Sequence, residues 1–62
     1  MQFVRFQLDG GATVYFKKDD ISVIVEDNLS PAYTHIYVHG QDKYFKVLGH
    51  YRGVLSELGI KP

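Results

Sequence analysis

The stretch that decides the fold reads Tyr-Thr-His-Ile-Tyr-Val-His, residues 33–39. Its side chains alternate in character, as in a β-strand, where successive residues point to opposite faces. One face then carries Thr34, Ile36 and Val38. The opposite face carries two tyrosines and two histidines: Tyr33, His35, Tyr37 and His39. The alternation therefore predicts a strand with one face on a core and the other open to a partner.

Four other segments also have strand patterns: residues 2–8, 12–17, 21–25 and 44–48. The segment 21–25 is β-branched and apolar on both faces, which is typical of a central strand covered on both sides. Between the first two segments, pairing Leu8 with Ala12 keeps both on the inner face and leaves residues 9–11 as the loop. Gly11 at the end of this loop accepts a left-handed conformation without steric cost.

The hairpin that follows residues 33–39 turns through residues 40–43. Residues paired across a hairpin share a face of the sheet. Pairing Val38 with Phe45 satisfies this condition for the inner face, and it places His39 opposite Tyr44 on the outer face. We therefore expect this register.

After Leu48 the apolar period changes from two to that of a helix. Tyr51, Val54, Leu55 and Leu58 fall at i, i+3, i+4 and i+7, which is the apolar stripe of an amphipathic helix. The pattern predicts one short helix over about residues 50–58, with His50 or Gly49 as its N-cap and Gly59 just beyond its end. We predict a mainly β (α+β) single domain over residues 1–62: a five-stranded antiparallel sheet or small open barrel with a C-terminal helix.

Composition argues against several classes of protein. Seven basic and seven acidic residues give a formal charge of zero, whereas proteins that grip duplex phosphates carry a basic excess. No apolar run approaches the roughly 20 residues of a membrane span, and the first residues lack the pattern of a signal peptide. The chain has no cysteine, hence no disulfide or thiolate site. We expect a cytoplasmic protein.

The residues offer no catalytic or metal-binding arrangement. His35 and His39 share a face but lie about 13 Å apart along a strand, too far to bind one zinc ion. The serines lie in no nucleophile context, and the carboxylates cluster in turns, where solvated turn chemistry explains them. We therefore expect no enzyme activity, catalytic residue, metal ligand, cofactor or small-molecule substrate.

A binding face is the better candidate for function. The outward residues interleave aromatic and cationic side chains, and the candidate binding residues are Arg5, Tyr15, Lys17, Tyr33, His35, Tyr37, His39, Tyr44 and Lys46. Such a face suits a second copy of the chain or another protein, because tyrosine and arginine are enriched at interfaces. Alternatively, it suits single-stranded nucleic acid, whose bases stack on aromatic rings. A third reading is that tyrosine simply favours strands.

One resemblance covers most of the chain and rests on hydrophobic spacing and glycine turns. Its residues are Phe6, Leu8, Asp9, Gly10, Val14, Tyr15, Phe16, Ile21, Ile36, Gly40, Tyr44, Val47, Val54 and Leu58. This pattern resembles the small bacterial flagellar proteins FlbD and SwrD, and phage and bacterial β-domains share it. The chain also looks a little like the first part of a LytTR DNA-binding domain, but it is shorter. It departs from the flagellar pattern in the longer loop through Pro31 and in Gly49 and His50 at the helix start. The resemblance implies a non-enzymatic regulatory or accessory protein, and it transfers no catalytic residue.

Overall fold

The computed structural model describes residues 2–61 and is mainly β, as the alternation predicts. A 3₁₀ turn, Lys18–Asp20, joins the second strand to the third. The strands are β1 (Phe3–Gln7), β2 (Thr13–Lys17), β3 (Ile21–Glu26), β4 (Tyr33–Val38) and β5 (Tyr44–Leu48), and the single helix is α1 (Tyr51–Glu57). The predicted fold class and the predicted helix are confirmed.

The strands form two antiparallel sheets, β1-β2 and β3-β4-β5. The sheets touch where Leu8, just after β1, bridges to Val47 of β5. Beside this bridge the Asp9 N–H donates to the Lys46 carbonyl at 2.9 Å. The expected five-stranded sheet is thus divided in two, and across residues 2–61 the strands form no closed barrel.

The core lies between the sheets and the helix. The inner residues of β4 are its most buried ones, since Thr34 and Ile36 have no exposed surface. The Thr34 hydroxyl donates to the Gly49 carbonyl at 2.8 Å, which ties β4 to the start of the helix. Residues of the helix region also pack into the core. The buried cluster comprises Val4, Phe6, Phe16, Ile36, Val47, Val54 and Leu58.

The first hairpin has the predicted three-residue loop. The Leu8 N–H donates to the Ala12 carbonyl at 2.7 Å, and the Gly11 N–H donates back to the Leu8 carbonyl at 2.9 Å. Gly10 and Gly11 have φ values of +103° and +98°, a region that favours glycine. Ala12, expected on the inner face, is exposed, because the hairpin tip extends beyond the core.

The helix has the predicted caps. The His50 imidazole Nδ1 accepts from the Arg52 N–H at 3.2 Å. At the other end, Gly59 has φ +77°. Its N–H donates to the Ser56 carbonyl at 3.0 Å, and the Ile60 N–H donates to the Leu55 carbonyl at 2.9 Å. This is the Schellman arrangement that ends many helices.

The prediction that residues 21–25 form a central strand is wrong. Within residues 2–61, β3 pairs with β4 alone and is an edge strand, while β4 is central to its sheet. The helix covers only the inner face of the sheet, so Val23 and Val25 on the other face remain exposed. A bulge between Ile21 and Val23 shifts the register of this strand.

The predicted register of the second hairpin is also wrong, by two residues. Phe45 pairs with Ile36, not with Val38, and Tyr44 lies opposite Tyr37, not His39. Val38 ends its strand because its carbonyl accepts the Gln41 N–H at 3.3 Å in a turn. A shift by two residues keeps every side chain on its predicted face, so the hydrophobic pattern does not distinguish the two registers.

Candidate interaction face

The side of the β3-β4-β5 sheet away from the helix is a candidate interaction face, which we call the outer face. Its cross-strand neighbours follow from the register, with His35 between Val25 and Lys46. Tyr37 lies between Val23 of β3 and Tyr44 of β5, and Tyr33 lies opposite Leu48 at the end of β5. The outer face thus comprises Val23, Val25, Tyr33, His35, Tyr37, Tyr44, Lys46 and Leu48.

The aromatic rings of the outer face pack on one another. The His35 imidazole stacks on the Tyr44 ring, with centroids 4.0 Å apart and planes 17° apart. Tyr44 also meets Tyr37 in a tilted contact at 5.7 Å. At the end of the sheet, the Lys46 ammonium lies 4.8 Å from the centre of the Tyr33 ring, a cation–π distance. These contacts hold the rings in place without a partner.

Asp27, in the loop after β3, fixes the orientation of His35. Its Oδ2 lies 3.0 Å from His35 Nε2. Its Oδ1 accepts the N–H groups of Leu29 and Ser30 at 2.9 and 3.0 Å. These backbone hydrogen bonds first, and the bond from His35 next, lower the pKa of the Asp27 carboxyl below its ordinary 3.8. An ionised carboxylate only accepts hydrogen bonds, so His35 donates through Nε2.

Lys46 has its charge balanced within the chain. Its Nζ lies 3.7 Å from Oδ2 of Asp9 and 3.9 Å from Oδ2 of Asp27. The Asp27 side chain is only 10% exposed, whereas the Asp9 side chain is 54% exposed. The lysine therefore sits between two carboxylates and adds little net positive potential to the outer face.

The rest of the outer face is apolar and open to solvent. Val23 and Val25 of β3 are 49% and 42% exposed, and Tyr44 and Leu48 of β5 are 47% and 48% exposed. These four side chains flank the packed rings of β4 on both sides. Soluble monomers rarely expose contiguous apolar patches of more than a few hundred Å², and such patches usually mark interaction sites.

The structure separates the nine candidate binding residues. It brings five of them together on the outer face: Tyr33, His35, Tyr37, Tyr44 and Lys46. Arg5 lies opposite Tyr15 in the other sheet, where Lys17 also lies. His39 is exposed just beyond β4, and its N–H donates to the Asp20 carbonyl at 2.7 Å.

Sequence reasoning missed Asp27, which it assigned to a solvated turn, and the valines of β3. The alternation of side chains could have identified them, since Val23, Val25 and Asp27 are spaced two residues apart and so point to the same face. Once Val25 is paired with His35, the residue two positions later becomes a diagonal neighbour of that histidine on the same face. Asp27 is also placed for an Asx turn onto Leu29.

Within residues 2–61 no three histidine or carboxylate side chains come together as a metal site. The one helix of this part of the chain is too short to cross a membrane. Comparisons with protein-family models, with curated proteins and with solved structures find no match to the chain.

Proposed function

We propose that this protein is a non-enzymatic interaction module that self-associates through the outer face of its three-stranded sheet. The observation that carries the proposal is the combination of open apolar side chains with internally balanced charge on that face. Burying the apolar side chains of two copies against each other removes them from water without leaving a lysine unpaired. A different protein with a matching apolar face is the alternative partner.

The packed rings favour such an interface energetically. Tyrosine supplies a large contact area with few rotatable bonds, and it is enriched at interfaces. His35 and Tyr44 already stack on each other in the free chain. Association then costs less side-chain entropy than it would for rings that move freely.

The alternative function, binding of single-stranded nucleic acid, draws on the same rings. It also needs cations free to meet phosphates. The outer face offers Lys46, whose ammonium lies within 4 Å of two carboxylates. This pairing favours the protein interface, and salt dependence separates the two functions. Nucleic-acid affinity falls steeply with salt and is strongest at about 50 mM, so absence of binding there contradicts that function.

Two tyrosines provide a matched test of the outer face. Tyr44 lies on the outer face, whereas Tyr15 is on the other sheet and is even more exposed, at 62%. We expect Tyr44→Ser to weaken self-association about tenfold or more, because it removes an aromatic side chain from the interface. Tyr15→Ser leaves the association constant near that of the parent chain. Sedimentation equilibrium measures both constants, and thermal melts verify that both variants fold.

A result in which Tyr44→Ser associates as strongly as the parent contradicts this assignment. Equal weakening by both variants instead indicates an interface that spans both sheets. Loss of nucleic-acid binding in Tyr44→Ser, with the chain monomeric throughout, supports the alternative function.

A further inference from the structure

β1 has a free edge over most of its length. On one side it pairs with β2 from Phe3 to Gln7. On the other side, within residues 2–61, it meets β5 only at its end, through the Leu8–Val47 bridge and the hydrogen bond from Asp9 to Lys46. β5 ends at Leu48, and the chain then turns away into α1. The first part of β1 is therefore left without a strand on that side.

The hydrogen bonds of the hairpin show which backbone groups point to this edge. Leu8 donates to Ala12 at 2.7 Å, and the Gln2 carbonyl accepts from Lys18 at 3.1 Å. Residues of even number thus bond to β2, and in an antiparallel ladder the intervening residues point the other way. Asp9 confirms this alternation, because its N–H bonds to β5. The N–H and C=O groups of Phe3 and Arg5 consequently face the free edge.

A groove of about 960 Å³ runs along this edge. Its lining includes β1, the end of β5, and the residues Gly49, Gly53, Val54 and Glu57. A paired strand occupies a slot about 4.8 Å wide and about 10 Å deep, roughly 160 Å³ for each 3.3 Å residue. The groove is therefore large enough for a short extended segment beside Phe3 and Arg5.

Gly53 in the groove wall has no role in the fold that its surroundings explain. It lies in α1, its φ is not positive, and apart from its chain neighbours and the helix backbone no described atom lies within 4 Å of where its Cβ would be. Glycine inside a helix is less favourable than alanine. Gly49 is different, because its φ of +148° and a Cβ position 3.2 Å from Val54 explain it. A glycine that the fold does not need suits a wall approached closely by another backbone.

We propose that this groove binds an extended peptide segment of a partner protein, which pairs with β1 as an added strand and passes over Gly53. The free N–H and C=O groups of Phe3 and Arg5 supply the ladder. Gly53, Val54 and Glu57 of helix α1 line the groove together with β1, so a strand that carries its own sheet would meet the helix as it approached this edge. We therefore favour a single extended segment over an edge strand of a second folded copy.

The charges of the groove suit recognition through the backbone. Its lining includes the cations Arg5 and Lys18 and the anion Glu57. A lining of mixed sign does not select a strongly charged peptide. In strand addition, the main-chain hydrogen bonds supply affinity and pockets along the strand supply specificity. We expect neutral peptides with a small residue at the position that faces Gly53. This site lies apart from the packed rings of the outer face and shares with that face only Leu48. The proposal does not rest on the self-association proposed above.

Hydrogen exchange of the free chain is the first test. The amides of Val4 and Phe6 bond to β2, so they exchange slowly, whereas the amides of Phe3 and Arg5 exchange rapidly. Protection of Phe3 and Arg5 equal to that of their neighbours overturns the proposal, because the edge is then already paired. The second test selects binders from a random octapeptide library displayed on phage, with the full chain immobilised. The selected peptides, made as free peptides, slow exchange at Phe3 and Arg5.

Three variants link binding to the groove. Arg5→Pro removes an N–H that points into the groove without removing a bond to β2, and we expect it to weaken peptide binding at least tenfold. Lys43→Ala, at an exposed position outside the groove, likewise removes one cation and binds normally. Gly53→Gln fills the groove from the helix with a better helix former, so it weakens binding even if Arg5→Pro fails to fold. The proposal is overturned if the library yields no binder, or if binders tolerate Gly53→Gln.

Discussion

At the scale of single residues, Asp27 connects the loop after β3 to the outer face. It accepts two backbone N–H groups of its own loop and one N–H of His35. His35 in turn stacks on Tyr44. One carboxylate therefore orders a loop and a ring together. We expect the arrangement of the outer face to depend on the charge of this carboxylate.

The free energy of unfolding at acid pH tests this role of Asp27. Hydrogen bonds in the folded chain lower the pKa of the Asp27 carboxyl below its ordinary 3.8. The stability that the carboxylate adds is therefore fully present above the ordinary pKa. It is lost as the pH falls through the lowered pKa of the folded chain. Asp27→Asn should be less stable than the parent at pH 7, and the difference should shrink below about pH 4. Urea unfolding across this range measures it.

Asp42→Asn, in an exposed turn, is the control for the loss of one acidic charge. We expect its stability to follow the parent chain over the same range. If the Asp27→Asn and parent curves remain parallel down to acid pH, the carboxylate does not stabilise the fold in its charged form.

Thr34 is the one buried polar residue of β4. Thr34→Val preserves the shape of the side chain but leaves the Gly49 carbonyl without the hydroxyl that donates to it at 2.8 Å. We expect a loss of about 1–2 kcal/mol in the free energy of unfolding, because a partly buried acceptor loses its partner. Thr13→Val at an exposed position should change stability by less than about 0.5 kcal/mol. Chemical denaturation of both variants compares them, and equal effects contradict a role for the hydroxyl.

At the scale of elements, the two glycines of the helix region should respond oppositely to alanine. Gly59 has φ +77° after the last turn, whereas Gly53 lies inside α1 with open space at its Cβ position. Gly59→Ala should lower the melting temperature, since a left-handed alanine costs about 1–2 kcal/mol. Gly53→Ala should raise it, by up to about 1 kcal/mol in stability. Thermal unfolding by circular dichroism tests both, and a shift of the same sign in the two variants contradicts this description of the helix.

Local sequence patterns predict the strands, turns and helix of this chain better than they predict which strands lie next to each other. The turn at Gly10 and Gly11 and the cap at Gly59 follow from residues close in sequence. The placement of β3 does not, because apolar residues on both faces indicate burial only if both faces are covered. With a single short helix, the outer face has no cover, and Val23 and Val25 stay exposed. The apolar pattern that suggested a central strand instead belongs to an edge strand with an open face.

At the scale of the whole molecule, the sequence indicates which residues share a face but not which faces meet. The aromatic residues of β4 and β5 were recognisable as one set, and they lie together. The alternation also places Arg5, Tyr15 and Lys17 on an outward face, but these residues lie on the other sheet. Within residues 2–61, the strands divide into two sheets because β5 bridges to the end of β1 only at Leu8 and Val47. This long-range contact is not encoded in the alternation of side chains. The balanced charge of Lys46 likewise depends on two distant loops.

The central claim is that the outer face of the three-stranded sheet joins copies of this protein. Sedimentation equilibrium tests it at about 1 mM chain, where an association of about 4 kcal/mol is half populated. We predict a dimer or larger species whose association constant is nearly the same at about 50 mM and about 500 mM salt, because the buried surface is apolar and its charges are already paired. A chain that remains monomeric at both salt concentrations contradicts the claim.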